Sequence, residues 1–259
     1  MTYSFDALEK RQGSFVSGIL RLETVDSTNE YLKRLIRSKQ INHGTVILSK
    51  HQNLGRGQMG TSWQDELGSS ILMSLVLRRP PIRIERQFLL NMSICLSVFD
   101  VLSNRIDGVA IKWPNDIMIK GKKCSGILIE NILSTFWEHS IVGIGINVNN
   151  SNFIGLEKAT SLALESGVNA KLSEVERELF DSLDSRLEQL WQMKWNQISA
   201  DYHDRLVGKG VRRKYKFKGE LVEGSIQGVR ESGQLIFLCA DGSYLYPNIK
   251  ELVYLENIE

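Results

Sequence analysis

Three cysteines are too few for a disulfide framework, and Cys95, Cys124 and Cys239 lie too far apart to share a zinc ion. A reducing compartment is the expectation that follows. Four prolines, no internal repeat and no low-complexity tract exclude fibrous, solenoid and disordered architectures. No apolar run approaches membrane-spanning length; the longest, residues 71–77, is broken by Ser74. The first ten residues carry Asp6 and Glu9 and no apolar core, so they do not read as a signal peptide, and the cytoplasm is the expected location. Neither sign of charge dominates: 32 basic residues face 30 acidic ones, a formal +2. That balance does not call for nucleic acid or an anionic membrane as partner. The four histidines, His43, His51, His139 and His203, show no metal-ligand spacing.

What is present is an ordinary globular composition, 42% hydrophobic and 24% charged, in a 259-residue chain long enough for one large domain and a small one. Ser27 followed by Glu30 reads as a capping box, opening a helix with Tyr31, Leu32, Leu35 and Ile36 at helical spacing. Strands are expected over 45–49, 70–77, 109–113, 117–119, 126–130 and 139–147, with a mostly buried helix over 87–102. Residues 172–191 give the clearest helix, with Val175, Leu179, Leu183, Leu187 and Leu190 as its apolar stripe. From Val211 the pattern changes to short alternating runs punctuated by glycine, the mark of a small antiparallel barrel. The class is α+β, divided near 206–210 into a domain over 1–207 and a β module over 208–259. The basic stretch 209–218 reads as a solvated face of that module.

Three segments carry chemistry. The first is Gly55-Arg56-Gly57-Gln58-Met59-Gly60, followed by Thr61-Ser62-Trp63. A dinucleotide fold would open a helix directly behind such glycines, and the stretch to Gly68 is polar instead. A kinase-type loop lacks its His-Arg-Asp and Asp-Phe-Gly partners. What is left is a flexible loop whose cation, Arg56, can meet a phosphate or carboxylate. Taken alone, a solvated surface loop is the simpler reading. In the second segment, Lys112-Trp113-Pro114-Asn115-Asp116 precedes Lys122-Lys123-Cys124-Ser125-Gly126. Pro114 cannot sit inside a central strand, so it ends one and exposes Asn115 and Asp116 in a turn. Lys123, on the return strand of the next hairpin, can point back toward Asp116; turn chemistry with solvated tip lysines is the alternative. In the third, Gly143-Ile144-Gly145-Ile146-Asn147, glycines weaken a strand unless something approaches its backbone closely. Asn147 then stands at a ligand edge, with a β-bulge ending in a polar turn as the alternative.

Together with Asp26-Ser27-Thr28-Asn29 and Gln52, these segments resemble the biotin–protein ligase family, in its order and approximate spacing. The likeness covers residues 20–150 strongly and the rest by architecture. It implies a mixed-sheet catalytic domain followed by an SH3-like β-barrel. It also implies that Ser27, Thr28 and Asn29 line a biotin pocket and that Gln52 hydrogen-bonds the ureido head, where an amide matches a neutral ring. Gly55, Arg56, Gly57, Gln58 and Gly126 are implied along the biotin and phosphate side. Lys123 is implied as the central catalytic lysine with Arg56 and Asp116, and Asp116 as a neighbour of Mg²⁺. Lys112, Asn147 and Trp63 fall on the nucleotide side, where Trp63 either stacks on adenine or packs.

The implied reaction consumes ATP to make biotinyl-5'-AMP and transfers biotin to a lysine of the carrier domain of a carboxylase. A loop over 55–67 would close over the adenylate. The best-known bacterial members carry a basic residue where this chain has Gln58, which implies weaker retention of the intermediate. Members that double as repressors carry a DNA-binding module ahead of the pocket motif; with that motif at Asp26, a single-function ligase is expected. A sheet edge leaves a homodimer open. Rival readings are a lipoate or octanoate ligase, whose Arg-Arg-x-Ser-Gly-Gly-Gly motif is missing, and a non-catalytic biotin-sensing regulator. A Ser-His-Asp hydrolase and a Walker-type nucleotide site lack their motifs altogether.

Overall fold

An eight-stranded mixed sheet organises the chain in the computed structural model, which describes residues 9–13, 15–38 and 41–255. The reading of the first ten residues lies mostly outside the described residues. The large sheet and its helices run in chain order as β1 (Glu9–Lys10), β2 (Gly18–Val25), α1 (Thr28–Arg37), β3 (Thr45–Gln52), β4 (Ser70–Arg78), α2 (Phe88–Ser103), β5 (Val109–Lys112), β6 (Asp116–Ile119), β7 (Lys122–Leu133), β8 (Trp137–Asn147), α3 (Leu162–Ser166), α4 (Leu172–Trp191) and α5 (Trp195–Asp204). The strand order is β1-β2-β3-β4-β8-β7-β6-β5, with β2 and β3 parallel and every other pair antiparallel.

Two apolar layers explain this arrangement. Successive side chains of a strand point to opposite faces, and here they enter different cores. Ile19, Val46, Leu48 and Val142 join the cluster around α2, whereas Leu20, Ile47 and Ile141 join Leu32 of α1. α1 therefore packs on one face, and α2, α4 and α5 on the other. β4 is buried at every position except Arg78, as a strand covered on both faces must be. α2 is apolar nearly all round and sits between the sheet and α4, whose stripe Val175, Leu179, Leu183, Leu187 and Leu190 is fully buried. Arg186 clips the three helices together, holding Asp100 at 2.7 Å and Asp201 at 2.6 Å.

A second sheet follows: β9 (Arg213–Phe217), β10 (Glu220–Val229), β11 (Leu235–Cys239), β12 (Tyr244–Leu245) and β13 (Leu252–Tyr254), all antiparallel in the order β12-β11-β10-β9-β13. Tyr215, Ile226, Leu235 and Phe237 extend the main core into it. Trp113 Nε1 donates to Gly233 O at 3.0 Å, and Ile111 exchanges backbone bonds with Arg205 and Val207. No helix among the described residues is long and apolar enough to cross a membrane.

Two local expectations are corrected. Ser27 is the N-cap of α1 in extended conformation, but its side chain makes no capping bond, and Glu30 turns to Lys33 and Arg56 instead of back to Ser27. The helix end is served from β3 instead, where Gln52 Oε1 accepts the Thr28 N–H at 2.8 Å. Asn115 is also buried and not exposed: its Nδ2 donates to Ile127 O at 2.5 Å, tying the turn to β7.

Candidate functional site

The N-terminus of α1, the end of β3 and the middle of β4 meet above the sheet. Thr28 Oγ1 lies 3.1 Å from Gln52 Oε1 and 2.7 Å from Ser74 Oγ, which in turn stands 2.5 Å from Asn29 Oδ1. Asn29 Nδ2 donates to Glu130 Oε2 at 2.8 Å. All four polar side chains are thereby fixed by their neighbours. Because Thr28 occupies Gln52 Oε1, the amide's two N–H donors are what Gln52 offers to a ligand. Ser27, freed from capping, lines the same cavity.

Opposite them, β6 and β7 carry the ionic pair. Pro114 O is held by Asn91 Nδ2 at 2.8 Å, fixing the turn that leads into Asp116. The register of β6 with β7 slips between Ile117 and Met118. Such a bulge re-aims side chains: Cys124 turns into the core, where burial pushes its thiol up to about 12, while Lys123 faces the cavity. Lys123 Nζ lies 2.6 Å from Asp116 Oδ1. Lys112, half-buried beside them, has its ammonium held below the ordinary lysine range, chiefly by loss of solvent, with Asp116 opposing and Lys123 and Lys158 adding to it.

The glycine-rich loop closes the third side. Trp63 N donates to Gly55 O at 2.9 Å and Gly57 N to Thr61 O at 2.7 Å, so residues 55–63 form a narrow hairpin-like loop. Its base is pinned by the His51 Nδ1–Asp65 Oδ2 contact of 2.8 Å. Arg56 pairs with Glu30 of α1. The floor is bare backbone: a β-carbon on Gly143 would stand 2.5 Å from Asn29 Oδ1, and one on Gly126 would stand 3.1 Å from Trp63 Cζ3. These glycines allow the close approach that the strand pattern suggested.

Ser27, Thr28, Asn29, Gln52, Arg56, Gly57, Gln58, Trp63, Lys112, Asp116, Lys123 and Gly126 all line one cavity of about 670 Å³. Gly55 lines a neighbouring hollow behind the loop. Asn147 lines a cavity of about 450 Å³ on the far side of Lys123 and Asp116, which both cavities share. Its Nδ2 donates to Thr160 O at 3.1 Å, and its buried Oδ1 has no partner among the described residues. Sequence reasoning missed Ser74, Lys158 and the C-terminal strip Ile249, Lys250 and Tyr254, which line or brace the cavity from remote segments. Lys158 is tied in where Lys123 N donates to its carbonyl at 2.7 Å, and Lys250 Nζ reaches Met59 O at 3.2 Å.

Residues 22–147 match the Biotin/lipoate A/B protein ligase family. The chain carries a domain of that family. Among curated relatives, a biotin–[acetyl-CoA-carboxylase] ligase of Mycobacterium tuberculosis is 29% identical over 85% of this chain and 84% of its own. A bifunctional ligase/repressor of Bacillus spizizenii is 30% identical over 77% of this chain, which spans only 63% of that protein. The solved biotin protein ligase of Aquifex aeolicus, in complex with biotin and ATP, superposes with a TM-score of 0.76 at 26% identity, covering 90% of this chain and 97% of that one. The mixed sheet with a small C-terminal sheet is thus the architecture of biotin protein ligases.

Proposed function

We propose that the protein is a biotin–protein ligase that activates biotin with ATP and transfers it to a lysine of a biotin carboxyl carrier domain. One observation carries the reading: Lys123 and Asp116 stand at the junction of two cavities with different chemistry. On one side an amide and hydroxyls suit a neutral polar head group. On the other, an unpartnered buried carbonyl, Asn147 Oδ1, suits an amino donor such as that of adenine.

In the first step a biotin carboxylate oxygen bonds to the α-phosphorus of ATP while the bond to the bridging oxygen breaks, so pyrophosphate leaves with the electron pair. Two anions must meet, and Lys123, Lys112 and Arg56 are the cations available to offset their repulsion. In the second step the amine of the acceptor lysine attacks the acyl carbonyl, loses a proton, and AMP leaves. Lys123 is suited to stabilise the carbonyl oxygen as it becomes negative.

Mg²⁺ accompanies such nucleotides, but no cluster of three metal-ligating side chains occurs among the described residues, and Asp116 is paired with Lys123. The described residues do not build a cage for the ion. Asp116 fits it only as a single ligand of an ion held mainly by phosphates and water. The cysteines are unpaired thiols, two of them buried, which supports a reducing compartment such as the cytoplasm.

The deciding experiment is biotin-dependent exchange of labelled pyrophosphate into ATP, with lipoate as control. Exchange with biotin alone supports the reading. Exchange with lipoate alone makes the protein a lipoate ligase, and exchange with neither acid removes the catalytic assignment.

A further inference from the structure

Adenylation brings a triphosphate and a carboxylate into one cavity, yet the cations named so far are largely spoken for. Arg56 pairs with Glu30, and Lys123 with Asp116 at 2.6 Å. Gln58, in the loop, brings no charge. Of those already named only Lys112 lacks an ion pair among the described residues, and two further ammonium groups that line the same cavity, Lys158 and Lys250, lack one too. Lys112 is enclosed beneath the ring of Tyr254, 5.1 Å from its centroid. The other two come from segments outside every motif.

Their placement is built and not incidental. Lys158 sits where the chain after β8 pairs with the start of β7: Lys123 N donates to Lys158 O at 2.7 Å, and Thr160 N returns to Lys123 O at 2.9 Å. Lys250 lies in the turn before β13 with φ of 70°, a left-handed conformation that costs a residue with a β-carbon roughly 1–2 kcal/mol. Its ammonium crosses from the C-terminal sheet to the glycine loop, bonding Met59 O at 3.2 Å. A neutral carbonyl does not cancel that charge.

We propose that Lys158 and Lys250 hold the departing pyrophosphate portion of ATP, supplying from the β8–α3 connection and the C-terminal sheet the charge that the loop lacks at Gln58. This rests on the ligase reading above. Uncompensated lysines around a concave site fit a polyphosphate better than a single carboxylate, because each ammonium acts as a point charge on one phosphate oxygen. With Lys250 bonded to the loop, nucleotide binding would also draw the loop and the C-terminal sheet together over the cavity.

The test uses the full chain and three readouts: exchange activity of wild type, pyrophosphate affinity by calorimetry, and biotin affinity without nucleotide. Lys158→Ala, Lys250→Gln and the double variant are compared with Lys158→Arg. Lys250→Gln keeps a donor for Met59 O and removes only the charge. The expected result is pyrophosphate binding and ATP KM weakened about tenfold or more in the double variant, recovery in Lys158→Arg, and unchanged biotin affinity, which also certifies folding. An active wild type whose pyrophosphate affinity survives in the double variant overturns the proposal and leaves the ligase reading intact. A wild type inactive in exchange, yet binding pyrophosphate through these lysines, overturns the ligase reading alone. Wild-type pyrophosphate affinity in Lys250→Gln with loss in Lys158→Ala reduces Lys250 to a tether.

Discussion

The indole of Trp63 rests on Gly145: a β-carbon built at that glycine would stand 2.6 Å from Cε2 and 2.7 Å from Cζ2 of the ring. The same ring lies 5.9 Å from Lys123 Nζ, and its Nε1 is buried without a partner among the described residues. An unsatisfied buried donor costs about 1–3 kcal/mol, so this position is one the ring can leave readily. It also fills the space beside Lys123 that the proposed reaction assigns to the acid's carboxylate.

Biotin binding is therefore expected to displace Trp63. Tryptophan emission should change on adding biotin to the wild type, and most of that change should vanish in Trp63→Phe. An equal change in both proteins would show that the ring stays on the glycine floor.

On the proposed reading Gln52 does two tasks with two ends of one amide, and a single substitution separates them. Gln52→Glu retains an oxygen for the Thr28 N–H, now 2.8 Å from Oε1, but loses the donors facing the cavity. Thermal stability should stay near wild type, while biotin affinity falls roughly ten- to hundredfold, as expected for lost hydrogen bonds beside a new charge. Gln52→Ala should lose both, with about 1 kcal/mol of stability going with the helix end. Calorimetric titration with thermal melts distinguishes the two; unimpaired biotin binding in Gln52→Glu would remove the residue from the site.

Much of this was legible in the sequence because it is periodic or local. The stripe from Val175 to Leu190, the apolar run of β4 and the strand ended by Pro114 each follow from neighbours in the chain. So does the pairing of Lys123 with Asp116, which the hairpin between them dictates. Relations set by distant segments were not legible. The first free N–H of α1 is met by Gln52, 25 positions beyond Ser27. Asn115 is buried because β7 returns over it. Lys158, Lys250 and Tyr254 reach the cavity only through long-range pairing, and no local pattern marks them.

Lys123 is expected to matter more to rate than to binding. Lys123→Ala removes a cation that the proposed reaction places where charge accumulates, and loss of one such group typically slows the chemical step about 10²–10³-fold. Single-turnover formation of the adenylate should fall by that order while biotin affinity changes little. Asp116→Asn, which leaves the ammonium unpaired and free to wander from its 2.6 Å contact, should show a smaller loss in the same step. Wild-type adenylate formation by Lys123→Ala would assign the charge stabilisation elsewhere, with Lys112 the next candidate.

The junction between the helices and the C-terminal sheet should loosen in mild acid. His203 of α5 accepts the Val229 N–H of β10 at Nε2, 2.8 Å away, and its Nδ1 lies 3.3 Å from Ser199 Oγ. Only neutral imidazole can accept there; a protonated Nε2 has to turn from that N–H to Val229 O, 3.2 Å away. Burial first, and then Lys209, hold its pKa below the ordinary 6.5, against the opposing pull of its bonds at Val229 and Ser199 and of Asp204. A histidine whose folded value is lowered binds fewer protons folded than unfolded, so its contribution is complete above about 6.5 and is lost as pH falls toward the folded value. The bond itself is worth about 1 kcal/mol, or a few degrees of melting temperature. His203→Gln keeps an acceptor that does not titrate, so its melting temperature should fall less between pH 7 and pH 5 than that of the wild type. Some slope should persist, since burial lowers His43 and His139 in the same direction. Identical slopes in the two proteins would mean that His203 is not the group whose protonation opens the junction.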